Sequence, residues 1–124
     1  MSELQQLKPK IIWHYFDEIL QIPRPSKHEE KMIAYLKNFA ESAALKYHID
    51  KVGNVIIQKP ATPGMENRKT VILQAHMDMV PQKATGSTHN FKTDPIQAYI
   101  DGEWVKANKT TLGADNGIGI AAVL

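Results

Sequence analysis

An α/β layered domain is the fold class this sequence predicts. Three observations point to it. Two amphipathic helical runs come first, short β-prone runs follow, and an apolar strand-like segment later leads through a glycine-flanked turn into a helix. No internal repeat or low-complexity segment interrupts that order.

The first helix is predicted over Lys10 to Gln21, where Ile11, Ile12, Tyr15, Phe16, Ile19 and Leu20 recur at helical spacing and form one apolar face. Pro23 and Pro25 end it. Ser26-Lys27-His28-Glu29 has the capping-box pattern, with Ser26 as N-cap and Glu29 reaching back. The second helix then carries Met32, Ile33, Leu36, Phe39, Ala40 and Ala43 on one stripe and ends near Ala44.

The period then changes. Tyr47 to Asp50 and Asn54 to Gln58 predict a hairpin turning around Val52-Gly53-Asn54. Pro60, Pro63 and Gly64 mark a loop. Thr70 to Ala75 is nearly all apolar and uncharged, which predicts a central strand covered on both faces. Pro81 to Pro95 is polar and turn-rich, hence a long surface loop. Ala98 to Lys106 is a second hairpin with Asp101-Gly102 at its turn. Thr110 to Leu112 is a short strand, and Ile118 to Leu124 begins a buried helix. That last helix shows no C-cap glycine, basic last turn or polar finish, so a fragment of a longer protein is expected.

Composition narrows the function classes. The 124 residues suit one modest domain with a single core. With 43% hydrophobic and 23% charged residues, the balance is that of a soluble globular protein. A formal net charge of +2, spread over scattered lysines, argues against nucleic-acid or membrane partners. No run approaches the ~20 apolar residues that span a bilayer, and Met1 to Lys10 lacks a secretion signal. A cytoplasmic location is the default expectation. The absence of cysteine removes thiolate ligands and leaves His, Asp and Glu for any metal.

Two motifs carry the chemistry. In extended backbone His76 and Asp78 point the same way while Met77 faces elsewhere. Asp78 can then hold the second nitrogen of a metal-bound imidazole, or ligate directly. The plain alternative is a strand-end histidine bonded to backbone, with Asp78 capping a turn. Asp115 lies between Gly113 and Gly117 at the start of a helix, where a simple N-cap role is the competing explanation. The combination favours a site, because open α/β sheets bind ligands at strand carboxyl ends. The other histidines, His14, His28, His48 and His89, read as surface, capping or solvated residues. Trp13 and Trp104 read as packing residues. Gly113-x-x-x-Gly117-x-Gly119 lacks the spacing and the lysine of a phosphate loop.

The stretch Gln74-Ala75-His76-Met77-Asp78-Met79-Val80-Pro81-Gln82-Lys83 resembles the first metal motif of aminoacyl-histidine dipeptidases, also called Xaa-His or cytosol non-specific dipeptidases, in the co-catalytic zinc peptidase group. Asp94-Pro95-Ile96-Gln97, Tyr99 to Lys106 and Thr111 to Gly119 are similar to that family as well. So are Pro60-Ala61-Thr62 and Gly64 to Lys69. The likeness runs in order along essentially the whole chain.

The resemblance implies that residues 1–124 are the N-terminal portion of a zinc-peptidase-type α/β/α catalytic domain, truncated, with the lid and dimerisation domain and the rest of the catalytic domain absent. It implies hydrolysis of dipeptides, including Xaa-His dipeptides, by a water that two divalent metal ions activate, with zinc expected and cobalt or manganese as alternatives. His76 is then a terminal metal ligand, Asp115 the bridging ligand, and Asp78 the member of the catalytic set that orients and polarises His76. The resemblance also implies a cis peptide at Asp115-Asn116 and a homodimeric full-length protein. It places the general-base glutamate and the remaining ligands after Asp115, where this sequence has no Asp, Glu or His. The 124-residue chain alone is therefore expected to be inactive and to bind zinc weakly. The rival readings are a tripeptidase or N-acyl amino acid hydrolase of the same group, and a non-catalytic interaction domain.

Overall fold

A computed structural model describes residues 2–124. Lys10–Leu20 forms helix α1 and Glu30–Ser42 forms α2. Their apolar stripes bury Phe16, Ile19 and Leu20 from α1 and Met32, Leu36 and Ala40 from α2. Leu4 joins them from a 3₁₀ turn at Glu3–Gln6, and the Glu3 carboxylate accepts from the Ile100 amide at 2.6 Å. Each of the Leu, Ile, Phe and Met side chains among them contributes about 1.5–3 kcal/mol on removal from water.

Strands β1 (Lys46–Ile49) and β2 (Val55–Gln58) pair antiparallel, with Lys46 opposite Gln58 and Ile49 opposite Val55. Their turn is organised by Asp50. Its carboxylate accepts from the Val52 and Asn54 amides, each at 2.9 Å, and from the Asn54 side chain at 2.7 Å. Strands β3 (Ala98–Asp101) and β4 (Trp104–Ala107) form the second antiparallel hairpin, with Gly102 at φ +60° in its turn. Helix α3 (Ala114–Val123) packs on α1 and buries Gly117, Ile120 and Ala121. The expected α/β class stands, as helices with two separate two-stranded sheets. No described helix is long and apolar enough to cross a membrane.

Four local expectations fail. Thr70 to Ala75 is not a covered central strand: it belongs to no sheet, and Val71, Ile72 and Leu73 are 76%, 88% and 64% exposed. A strand needs a hydrogen-bonded neighbour, and no described residue supplies one here. Thr110 to Leu112 makes only an isolated bridge, Lys83 to Thr110. Trp104 is 71% exposed rather than packed. Ser26 does not cap α2, whose N-cap residue is Glu29 and lacks a side-chain cap bond. The Glu29 carboxylate turns back to the Lys27 amide at 2.7 Å, and Ser26 is engaged elsewhere.

Candidate metal centre

The segment before His76 approaches the core from the surface and becomes buried at Met79. There it is tied to the α1–α2 connection: the Met79 amide donates to the Arg24 carbonyl at 3.0 Å, and the Ser26 amide donates to the Met79 carbonyl at 3.2 Å. These bonds place His76 and Asp78 at the edge of the core. The second motif arrives through Gly113, whose φ of +75° turns the chain into α3. Asp115 and Asn116 depart from helical angles, and the peptide between them is cis, as the resemblance implied.

The two motifs meet through their side chains. His76 Nδ1 lies 3.0 Å from Asp78 Oδ1 and 3.1 Å from the Asp78 carbonyl. His76 Nε2 lies 2.8 Å from Asp115 Oδ1. Both carboxylates are acceptors, so the ring donates on both sides when they are ionised and is then an imidazolium. The Asp115 carboxylate raises the His76 pKa above the ordinary imidazole value. Desolvation opposes that rise, and the Asp78 carboxylate and carbonyl add to it. Asp78 is held below the usual carboxylate range, first by the Ser26 hydroxyl and then by His76, against partial desolvation. The Asp115 side chain is 96% exposed, so one face of its carboxylate is open. Its N-cap alternative fails, because Asp115 is bonded to His76 and no side chain caps α3.

Two residues here escaped the sequence reading. Arg24 is 1% exposed and is the buried charged residue of the chain's described part. Its Nη1 donates to the Met77 carbonyl at 2.9 Å and the Asp78 carbonyl at 3.2 Å, and its Nη2 donates to the Gly113 carbonyl at 2.6 Å. Burial lowers its pKa to about 10, with Asp78 opposing the shift, so it stays charged at neutral pH. Ser26 Oγ donates to Asp78 Oδ2 at 2.5 Å. A guanidinium between two prolines was the available signal for Arg24, while the capping-box pattern concealed Ser26.

The remaining candidates stay apart. His14 lies near Glu18 on exposed α1 surface, and His28 and His48 are exposed. His89 packs edge-on against Phe91 with ring centroids 4.5 Å apart. Among the described residues no group of three or more His, Cys, Asp or Glu side chains could hold a metal ion. His76 and Asp115 therefore form a two-donor set of imidazole and carboxylate. The donor chemistry fits zinc, and a carboxylate on the second ring nitrogen is the usual support for a ligating histidine.

No family model matches the chain. It is 58% identical over all 124 residues to the cytosol non-specific dipeptidase of Escherichia coli (strain K12), of which it spans 26%. The structure superposes on the crystal structure of aminoacylhistidine dipeptidase from Vibrio alginolyticus with a TM-score of 0.95 and 56% identity, covering 98% of this chain and 25% of that one. Its α/β architecture is thus that of one part of a dipeptidase fold. By sequence and by fold the chain is similar to one part of the aminoacyl-histidine and cytosol non-specific dipeptidases, about a quarter of whose length it spans.

Proposed function

We propose that this chain supplies one part of a metal centre that hydrolyses dipeptides, including those ending in histidine, in a cytoplasmic protein. The observation that carries the proposal is the convergence of His76, Asp78 and Asp115 on one imidazole from two motifs. The likeness to two dipeptidases supports the substrate class, and the cytosolic relative supports the location. The resemblance of the motifs extends the proposal to a homodimer.

His76 and Asp115 would hold the metal, His76 through Nε2 and Asp115 through its open carboxylate. Two divalent ions, zinc by donor preference, would supply Lewis acidity and make a water acidic enough to ionise near neutral pH. Asp78 keeps a proton on His76 Nδ1 and so presents the Nε2 lone pair outward once the Nε2 proton is gone. Ser26 keeps the second Asp78 oxygen occupied and the carboxylate ionised.

The test is hydrolysis of β-alanyl-histidine by the full-length protein, before and after chelation and with zinc restored. Loss on chelation, recovery with zinc and abolition by Asp115→Ala are expected. Turnover that survives both chelation and Asp115→Ala would falsify the reading. Preference for tripeptides or N-acyl amino acids would move the protein to a sister activity of the group.

A further inference from the structure

We propose that the α1–α2 connection is a third component of this site, with Arg24 and Ser26 as positioning residues that set how His76 and Asp78 stand relative to Asp115. The proposal rests on the metal-centre reading above.

Among the described residues, no backbone hydrogen bond joins residues 76–79 directly to residues 113–117. Arg24 spans that gap. One arm of its guanidinium holds the Met77 and Asp78 carbonyls and the other holds the Gly113 carbonyl. A buried guanidinium is costly unless its donors are met, so the geometry of both motifs is coupled to one rigid, planar fork. Lysine presents a single ammonium and cannot reproduce two arms reaching two loops.

The glycines of the second motif fit this arrangement. A Cβ on Gly113 or on Gly117 would lie 2.7 Å from Arg24 Nη2. Gly113 also needs its left-handed φ, but Gly117 does not, so its small size answers to the close approach of Arg24 and of Phe16, whose Cε2 a Cβ would meet at 3.0 Å. Ser26 acts on the other side. Its hydroxyl fixes one Asp78 oxygen at 2.5 Å, which leaves Oδ1 to face His76 Nδ1. Its amide ties the same connection to Met79, one residue beyond Asp78. The connection thereby fixes the distance between the motifs through Arg24 and the orientation of the imidazole through Ser26 and Asp78.

The experiment is calorimetric titration of the full-length protein with zinc alone. It compares wild type, Arg24→Lys, Arg24→Met, Ser26→Ala, Ser26→Thr and Asp115→Ala, each with circular dichroism and a melting curve. Arg24→Lys and Ser26→Ala are expected to fold and to bind zinc roughly 10- to 100-fold more weakly, the usual loss when an orienting partner of a ligand is removed. Ser26→Thr keeps the hydroxyl and is expected to restore affinity. Folded Arg24→Lys and Ser26→Ala variants with wild-type affinity overturn the proposal, even if they melt earlier, because a purely structural role moves melting alone. If the Arg24 variants do not fold, the Ser26→Ala and Ser26→Thr pair decides. A wild type that takes up no zinc, or an Asp115→Ala variant that binds as wild type does, sinks the metal reading and this proposal with it. Zinc uptake lost in Asp115→Ala but unchanged at Arg24 and Ser26 sinks this proposal alone.

Discussion

At the scale of residues, the site is a chain of hydrogen bonds from the core to the surface. Ser26 holds Asp78, Asp78 holds His76, and His76 meets Asp115. Asp78→Ala is expected to weaken zinc binding by roughly 10- to 100-fold while the fold persists, read by calorimetry and circular dichroism. Gly117→Ala tests the packing beneath. The added methyl meets Arg24 and Phe16, and overpacking of this kind costs about 1–3 kcal/mol, visible as a lower denaturation midpoint. His76, Asp78 and Asp115 were legible as candidates because of their residue types, their places at the ends of two apolar segments and the resemblance of both motifs to a known family. Arg24 and Ser26 were not, because their partners lie more than fifty residues away and are mostly backbone carbonyls, which any sequence supplies.

At the scale of elements, periodicity identified both long helices and both hairpins to within a residue or two, except at the start of α2, whose cap lies three residues after the expected one. Their buried stripes are local properties, set by which residues recur on one face. The β1–β2 turn shows a finer device. Three donors on the Asp50 carboxylate, from Asn54 first, hold its pKa below the ordinary value. Its contribution to stability is therefore complete above the pKa of the unfolded chain and is lost as pH falls through the lower folded value. A proton titration of Asp50 by nuclear magnetic resonance should show that depression, and Asp50→Ala should lower the melting temperature at neutral pH but not in strong acid. The capping box at Ser26 failed for a related reason. The fold places Glu29 rather than Ser26 at the start of α2, so the Ser26 oxygen has no helix amide to accept from, and its hydroxyl donates to the Asp78 carboxylate instead.

At the scale of the whole molecule, the exposed Val71-Ile72-Leu73 segment is the main departure from a self-sufficient domain. An unpaired apolar strand is a template for association with another strand. The isolated 124-residue chain is expected to self-associate, and Ile72→Lys should reduce that association in sedimentation or light scattering. Equal association of the two would show that this segment is not the contact. Thr70 to Ala75 was readable as β-prone from its composition, but pairing is a property of two segments, and only the tertiary structure shows whether the second is present.

The sequence by itself determined the helices, the hairpins, the α/β class and His76, Asp78 and Asp115 as the candidate side chains, because periodicity and side-chain chemistry are written locally. Tertiary structure alone decided that His76 stands between Asp78 and Asp115, that Arg24 and Ser26 bond to the segments carrying them, and that the apolar segment Thr70 to Ala75 lies bare. Those outcomes depend on distances between segments remote in the chain, and the need to satisfy a buried guanidinium selects among them.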